Sequence, residues 1–202
     1  MTEAPGDAGL IAHRELGYWG ARKQMIYYQV LYQYVCVIGR DARSLIDVGS
    51  ASAQYVEWFH WIPACHILDF RIPKKPQGIT CIESDFLSYE PQQKFDVVLC
   101  LQVLEHVPDC AAFCAKLKSI AHRLLVSVPY KWLGNTPGHI HDPVDEKKLE
   151  SWMGIRPNNS QIVTEPFRES RLIAYYDLEN GPSFRFEKSY IQDAIRERAL
   201  ER

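Results

Sequence analysis

The sequence predicts a doubly wound α/β fold, in which helices cover both faces of a mostly parallel β-sheet and an antiparallel hairpin forms its C-terminal edge. Two observations support this fold class. Through the first two thirds of the chain, short apolar runs alternate with helical or polar segments, as buried parallel strands and their crossovers do. Further on, two strand-like runs are separated by only a few polar residues, which favours an antiparallel pair.

The buried strands are predicted from apolar runs that are bounded by Pro, Gly or charged residues. In chain order these runs are SLIDVGS, HILDF, GITCIESDF, KFDVVLCLQ and RLLVSVPY. SAQYVEWFHW, which follows the first run, has helical spacing and predicts a helix after a tight turn. The edge hairpin is assigned to SQIVTEPF and RLIAYYDL.

Helices are predicted on both sides of these strands. The aromatic-rich segment from Gly17 to Ile38 has apolar residues three and four apart. A second helix is predicted over 109–121, where the side chain of Asp109 is expected to cap the first turn. A third is predicted over DEKKLESWMG, which Gly154 is expected to end.

The 202 residues suit a single domain, because a chain of this length buries most of its apolar surface in one core. We therefore expect one domain over 1–202. Its predicted parts are a flexible tail at 1–10, a helical segment at 14–40, a core at 44–178 and a C-terminal helix at 188–202.

The composition favours a small-molecule substrate over nucleic acid. A net charge of −2 provides no basic surface for nucleic acid, and no apolar run approaches the ~20 residues that span a bilayer. The acidic start MTEAPGDAG lacks the basic region of a signal peptide, so we expect a cytoplasmic protein that is a monomer or a homodimer.

The six cysteines lie within apolar runs rather than at the spacings of a disulfide framework, and we interpret them as buried free thiols. Cys110 and Cys114 lie four apart on a predicted helix, which is also compatible with a shared metal ion. Core packing is the favoured interpretation, because no second pair of ligands lies near them in the sequence.

Acidic residues follow three successive strands. The turn that contains Asp47, Gly49, Ser50 and Ala51 lies where a nucleotide-binding turn is expected, with Gly49 allowing close backbone approach. Asp69 follows about twenty residues later, at the spacing of a carboxylate that accepts from ribose hydroxyls.

Asp85 follows the next strand, where its carboxylate is expected to receive an adenine amino group. The ring of Phe86 is expected to cover the adenine, and Phe70, beside Asp69, is placed in the same cofactor site. These positions together predict a nucleoside pocket.

The segments IDVGS, ILDF, SDF, FDVVLCLQVLEHV and LLVSVPY resemble those of class I S-adenosylmethionine-dependent methyltransferases, in the family's order and spacing from about residue 14 to 178. The resemblance implies a Rossmann-like fold, S-adenosyl-L-methionine as the cofactor, and Leu101 and Gln102 beside its methionine part. The family commonly has glycine where this chain has Ala51, and often where it has Ala53. The missing third glycine argues against a nicotinamide dinucleotide, whose pyrophosphate needs that approach.

The long loop KWLGNTPGHIHDPVD follows the fifth strand, where a substrate is expected to approach. If this loop is extended, His139 and His141 face the same side. They then serve as general base and orienting partner for a hydroxyl, or they bind a divalent metal ion with Asp142, or they only hydrogen-bond the loop. The metal is not favoured. The resemblance implies that His106 chiefly shapes the cofactor pocket.

Four aromatic residues, Tyr18, Trp19, Tyr130 and Trp132, are candidate walls of a substrate pocket, with core packing as the alternative. The function predicted is methyl transfer from S-adenosyl-L-methionine to a hydroxyl of a small molecule or glycan. N- or C-methylation, methylation of a protein, and an inactive methyltransferase-like binding module are the alternatives.

Overall fold

The computed structural model describes residues 19–20, 22–51, 54–134, 136–166 and 169–200. Its centre is a seven-stranded sheet. The strands are β1 (Ser44–Val48), β2 (Ala64–Asp69), β3 (Thr80–Glu83), β4 (Phe95–Leu101), β5 (Ala121–Tyr130), β6 (Asn159–Thr164) and β7 (Ser170–Asp177). The helices are α1 (Ile26–Ile38), α2 (Cys110–Ser119), α3 (Glu146–Met153) and α4 (Lys188–Leu200).

The strand order across the sheet is β3-β2-β1-β4-β5-β7-β6. Strands β1 to β5 are parallel to their neighbours, whereas β7 runs antiparallel to both β5 and β6. The order reverses between β1 and β4, which pair directly with Val48 opposite Cys100. Ligands of such sheets bind beyond the carboxyl ends of the strands at this reversal.

The two faces of the sheet are covered by different helices. On one face, α1 packs Leu31 and Val35 into a cluster that includes Leu45 of β1. On the other face, Leu117 of α2 and Met153 of α3 pack into a second cluster. The predicted fold class, a mostly parallel doubly wound sheet with an antiparallel C-terminal edge, is therefore confirmed. Within the described part of the chain, every helix is too short or too polar to cross a bilayer.

Several local predictions are also confirmed. The side chain of Asp109 accepts a hydrogen bond from the Ala112 amide at 2.9 Å and caps α2. Gly154 ends α3 in the left-handed conformation, with φ of 67°. All six cysteines are free thiols, and five of them, including Cys110 and Cys114, are buried as predicted, whereas Cys81 is only partly buried.

The helix predicted over SAQYVEWFHW is wrong. Its described part contains a single 3-10 turn, Tyr55–Trp58. Tyr55, Val56 and Phe59 are all buried in the same cluster as α1, where the Tyr55 ring centroid lies 5.5 Å from that of Tyr28 and the Phe59 ring centroid 6.3 Å from that of Tyr32. Tertiary packing of the aromatic rings therefore overrides the helical spacing in this segment.

Helix α1 begins later than predicted. Residues 22–24 form a turn, Met25 is extended, and the helix starts at Ile26. Met25 provides no side-chain cap. Instead the buried carboxylate of Glu165, from the β6–β7 connection, accepts the amides of Ile26 at 3.0 Å and Tyr27 at 2.7 Å. A residue 138 positions away thus replaces the local cap.

Replacing this cap should weaken the fold. Glu165→Ala leaves two amides of α1 unpaired, and we expect the free energy of unfolding to fall by about 1–3 kcal/mol. Urea unfolding followed by circular dichroism measures the change. Glu169→Ala, an exposed carboxylate in the same connection, is the matched control. Equal stability of both variants would contradict the capping role.

Candidate functional site

A cavity of about 480 Å³ lies beyond the carboxyl ends of β1, β2 and β4, at the reversal of strand order. Its lining includes all but one of the residues predicted to contact the cofactor. These are Gly49, Ser50, Ala51, Asp69, Phe70, Asp85, Phe86, Leu101 and Gln102. The exception is Asp47, which does not line the cavity. We call this space the larger cavity.

The turn after β1 depends on Gly49. Its φ of 80° is unfavourable for other residues, and an added Cβ would lie 2.5 Å from Cγ2 of Val103. The loops after β1 and β4 approach each other closely only because no side chain stands between them.

Ala51 also has a left-handed backbone, with φ of 48°. This conformation explains why glycine is the easier residue at the position. The Ala51 amide donates to Oδ2 of Asp69 at 2.8 Å. Oδ2 thereby secures the turn, while Oδ1 of Asp69 has no hydrogen bond among the described residues. Ser52 and Ala53, which follow, lie outside the described residues.

Asp47 is completely buried below this turn. Burial raises the pKa of its carboxyl to about 7; the hydroxyl of Tyr55 opposes this rise and the carboxylate of Asp69 adds to it. The Tyr55 hydroxyl lies beside the carboxylate without reaching hydrogen-bond geometry, so both oxygens of Asp47 lack a partner among the described residues.

Asp85 and Phe86 begin a short turn at the far end of the larger cavity. Asp85 accepts the Leu87 amide at 3.1 Å through Oδ1 and the Ser88 hydroxyl at 3.3 Å through Oδ2. The ring of Phe86 is buried 4.6 Å from that of Phe113, centroid to centroid. A carboxylate has about four acceptor positions, so Asp85 retains capacity for a ligand.

The charge of the larger cavity is one-sided. Its lining among the described residues contains two carboxylates, Asp69 and Asp85, and no lysine or arginine. A pyrophosphate is disfavoured in such a lining, whereas a cationic ligand is favoured.

A smaller cavity of about 230 Å³ adjoins the larger one. The two share four residues, Tyr27, Tyr28, Gln102 and His106. The other residues of the smaller cavity are Arg22, Met25, Glu105, Trp132, Thr136, His139 and Arg171.

A buried hydrogen-bond network forms the wall between the cavities. The hydroxyls of Tyr27 and Ser127 share a hydrogen bond, and Nε2 of Gln102 donates to the Ser127 hydroxyl at 3.2 Å. Gln102 has a left-handed backbone with φ of 58°, and its backbone N–H donates to the Ser127 backbone carbonyl at 2.9 Å. Burial raises the pKa of Tyr27 well above its ordinary value, so its hydroxyl stays neutral.

His139 and Asp142 form a buried pair at the smaller cavity. Nδ1 of His139 lies 2.7 Å from Oδ2 of Asp142. Since a carboxylate only accepts, Nδ1 carries the hydrogen, and Nε2 is the nitrogen with the lone pair when the ring is neutral. The ring of Trp132 stacks on that of His139, with the centroids 5.5 Å apart. The side chain that orients His139 is therefore Asp142, and not the second histidine of the loop as the sequence suggested.

The prediction that His139 and His141 face the same side is wrong. Nε2 of His141 lies 2.7 Å from the Val107 carbonyl, and its ring packs against Trp152 rather than lining either cavity. The loop is not extended, because the His139 amide bonds to the Thr136 carbonyl in a turn that contains Gly138. Alternation along an extended strand does not apply in this segment.

Glu105 and His106 complete the wall of the smaller cavity. Glu105 is 1 % exposed, and its Oε2 has no hydrogen bond among the described residues. Burial raises the pKa of Glu105 to about 8, its own backbone amide lowers it and the carboxylate of Asp142 raises it further. Nδ1 of His106 lies 2.9 Å from the Gly138 carbonyl, which again leaves Nε2 with its lone pair.

The candidate substrate aromatics have different positions. Trp132 lines the smaller cavity and donates from Nε1 to the Ser170 carbonyl at 2.8 Å. Tyr130 instead donates to Glu146, and Trp19 packs edge-on against Tyr28; neither residue lines the larger or the smaller cavity. Tyr18 lies outside the described residues.

Sequence reasoning missed the contribution of Tyr27 and Arg171. Arg171 comes from β7, and its guanidinium lies 5.3 Å from the Tyr27 ring centroid and 5.4 Å from that of Trp132. No local motif marks either residue, because their proximity depends on the pairing of β5 with β7. Glu105 and His106 stand next to each other in LQVLEHV, and this adjacency is the only feature of the sequence that points to them as site residues.

No protein-family model and no curated protein matches the chain, but solved structures share its fold. The N-methyltransferase NodS from Bradyrhizobium japonicum WM9, in complex with S-adenosyl-l-homocysteine, has a TM-score of 0.61 at 12% identity, over 82% of this chain and 95% of that one. A Burkholderia thailandensis 1,6-didemethyltoxoflavin-N1-methyltransferase has a TM-score of 0.60 at 13% identity, over 87% and 90%. The N-terminal domain of EvdMO1, in the presence of S-adenosylhomocysteine and D-fucose, has a TM-score of 0.54 at 13% identity, over 85% and 96%.

These similarities establish a common architecture. The chain has the Rossmann-like fold of S-adenosylmethionine-dependent methyltransferases, with the larger cavity at the reversal of strand order. At identities of 12 to 13% the similarity shows the fold, and the substrates of those proteins are not assigned to this chain.

The buried carboxyl of Asp47 should make stability depend on pH. Its pKa is about 7 in the folded chain against an ordinary value of 3.8, so between these values only the folded state holds the proton. Stability is then lost as pH rises from about 4 to 7, by up to roughly 4 kcal/mol.

Asp47→Asn removes this titration, so the variant should gain stability relative to the wild type as pH rises through that window. Urea unfolding at pH 4.5, 6 and 8 without ligand measures the difference. Asp193→Asn, at an exposed position in α4, is the control. If the free energies of unfolding of Asp47→Asn and the wild type change with pH by the same amount, Asp47 is not a protonated buried acid.

Proposed function

We propose that the protein is an S-adenosylmethionine-dependent methyltransferase that binds the cofactor in the larger cavity and a hydroxyl-bearing small molecule in the smaller one. The observation that carries the proposal is the pair of adjoining cavities that share a wall at the strand reversal. A group-transfer enzyme must hold two molecules with their reacting atoms in contact, and two connected pockets serve that purpose.

The residues of the larger cavity fit this cofactor. Oδ1 of Asp69 is available to ribose hydroxyls, and Asp85 and Phe86 are placed for an adenine at the far end. Gly49 lets the cofactor approach the backbone. Leu101 lines the larger cavity and Gln102 lines both cavities, and we place the methionine part beside these two residues. The absence of lysine and arginine from the described lining suits a cofactor that bears a sulfonium cation and no phosphate.

When bound, the cofactor supplies a methyl group that its sulfonium already activates. The protein's contribution is therefore to align the acceptor and to remove its proton. Tyr27, Ser127 and Gln102 fix the wall across which transfer occurs. Glu105, His106 and His139 face the smaller cavity, where a neutral hydroxyl needs help to lose its proton.

The smaller cavity also supports a polar acceptor such as a sugar. The ring of Trp132 offers a flat apolar surface of the kind on which C–H faces of sugars pack, and Arg22 and Arg171 provide positive charge beside it. EvdMO1, of the same fold, was crystallised in the presence of D-fucose. We place sugars and other polyols first among the acceptors to be tried.

Cofactor binding can be measured without knowing the acceptor. Calorimetric titration with S-adenosylhomocysteine should give binding, and Asp69→Asn should weaken it by about 1–3 kcal/mol because the ribose hydroxyls lose a charged acceptor. Asp193→Asn, far from the cavity on α4, should bind as the wild type does. Absence of binding to the wild type would contradict the proposal and favour an inactive binding module.

The acceptor class can be tested by S-adenosylhomocysteine release in the presence of monosaccharides, phenols or primary amines. His139→Asn should lower kcat for a hydroxyl acceptor by about 100-fold or more, as loss of proton removal does, while the affinity for S-adenosylhomocysteine stays unchanged. Transfer to amines alone, unaffected by His139→Asn, would contradict the hydroxyl assignment and leave the methyltransferase class in place.

A further inference from the structure

We propose that Glu105, His106 and His139 form a binding site for a divalent first-row transition-metal ion in the wall of the smaller cavity. The ion would bind the hydroxyl oxygen of the methyl acceptor. Only this second statement rests on the proposed function; the metal site stands on its own residues.

The three side chains supply a compact set of donors. One carboxylate oxygen of Glu105 and one ring nitrogen each of His106 and His139 lie within 4.8 Å of one another. A metal ion about 2.0–2.2 Å from each donor fits within this spacing after small side-chain movements. Two imidazoles and one carboxylate leave coordination positions open for a substrate oxygen.

Both imidazoles are held in the form that a metal ligand requires. Nδ1 of His106 is hydrogen-bonded to the Gly138 carbonyl, and Nδ1 of His139 is hydrogen-bonded to the carboxylate of Asp142. These partners fix the proton on Nδ1 and leave the lone pair of Nε2 available. Histidine ligands in metalloproteins are oriented by hydrogen bonds of this kind, to a backbone carbonyl or a carboxylate.

The buried carboxylates provide a second, independent observation. Oε2 of Glu105 and Oδ1 of Asp142 are both buried without a hydrogen bond among the described residues. Arg171, whose charge acts on Glu105, lies over the rings of Tyr27 and Trp132 and forms no ion pair with Glu105 in the described part of the chain. An uncompensated buried carboxylate is costly, and a divalent cation would compensate it.

The site lies where the acceptor must be activated. All three side chains line the smaller cavity, and His106 lines both cavities. An ion there acts as a Lewis acid on the acceptor hydroxyl and lowers its pKa, so that its proton passes to water. The oxygen then forms the new bond to the methyl carbon, while the carbon–sulfur bond breaks and its electron pair returns to sulfur.

The donor set indicates the class of ion. Two imidazoles favour Mn²⁺, Fe²⁺, Co²⁺ or Zn²⁺ over Mg²⁺ and Ca²⁺, which prefer oxygen ligands. This site differs from the one considered from the sequence, since His141 points away and Asp142 supports His139 rather than facing the ion.

The test is titration of the chelator-treated full chain with Co²⁺, followed by visible absorption and calorimetry. Wild-type protein should bind one equivalent with d–d bands of mixed nitrogen and oxygen ligation. Glu105→Gln, His106→Asn and His139→Asn should each raise the Kd at least about 100-fold, and Asp142→Asn about 10- to 100-fold.

His141→Asn is the matched control, because this histidine lies two residues from His139 but outside the cluster. Its Kd for Co²⁺ should stay within about 3-fold of wild type, a difference well below those that supporting residues produce. His60→Asn tests whether an exposed imidazole outside the cluster contributes to Co²⁺ binding, and its Kd should also equal that of the wild type. Circular dichroism shows which variants fold, and the wild-type spectrum tests the site even where a variant does not.

The outcomes separate the metal site from the proposed function. Co²⁺ binding that depends on the three residues supports the site, whether or not any acceptor is methylated. Failure of the wild type to bind Co²⁺, or equal affinity of Glu105→Gln and wild type, overturns it. Methyl transfer that persists in chelator with no Co²⁺ binding also overturns it, and then His139 acts as a direct base.

Discussion

The close approach of the loops after β1 and β4 is the constraint on which the rest of the site depends. At this point a Cβ on Gly49 would lie 2.5 Å from the side chain of Val103, so the two loops fit together only with glycine. The same loops carry Ala51 and Gln102, both with left-handed backbones, and such conformations persist only where the surroundings enforce them. The hydrogen bond from Ala51 to Asp69 and that from Gln102 to Ser127 are part of this enforcement. The floor of the larger cavity is therefore set by backbone geometry.

The two cavities differ in charge, and the difference follows from the elements that line them. The larger cavity is bordered by the carboxyl ends of parallel strands, where Asp69 and Asp85 stand without a lysine or arginine in the described lining. The smaller cavity receives Arg171 from the antiparallel edge and Arg22 from the segment before α1. Such a division of charge suits a cationic methyl donor in the larger cavity and a polar methyl acceptor in the smaller cavity. The carboxylate of Glu105 lies on the acceptor side.

The antiparallel edge does more than complete the sheet. Its β6–β7 connection places Glu165 under the first amides of α1, and this bond fixes the start of the helix that carries Tyr27. Tyr27 in turn reaches Ser127 on β5, which lies beside β7 in the sheet. The wall between the cavities is thus held by α1, β5 and the β6–β7 connection together.

The sequence by itself determined the strands, the fold class and most of the lining of the larger cavity, because apolar runs and the residues at their ends are local properties. Asp69 ends β2, Gly49 and Asp85 follow β1 and β3, and parallel strands bring their carboxyl ends to one edge. Only the tertiary structure decided the lining of the smaller cavity. The loop with His139 folds into a turn rather than an extended segment, which separates His139 from His141. The segment at Tyr55 packs its rings instead of completing a helix. Glu105, Arg171 and Tyr27 meet through long-range pairing, and no spacing along the chain encodes such contacts.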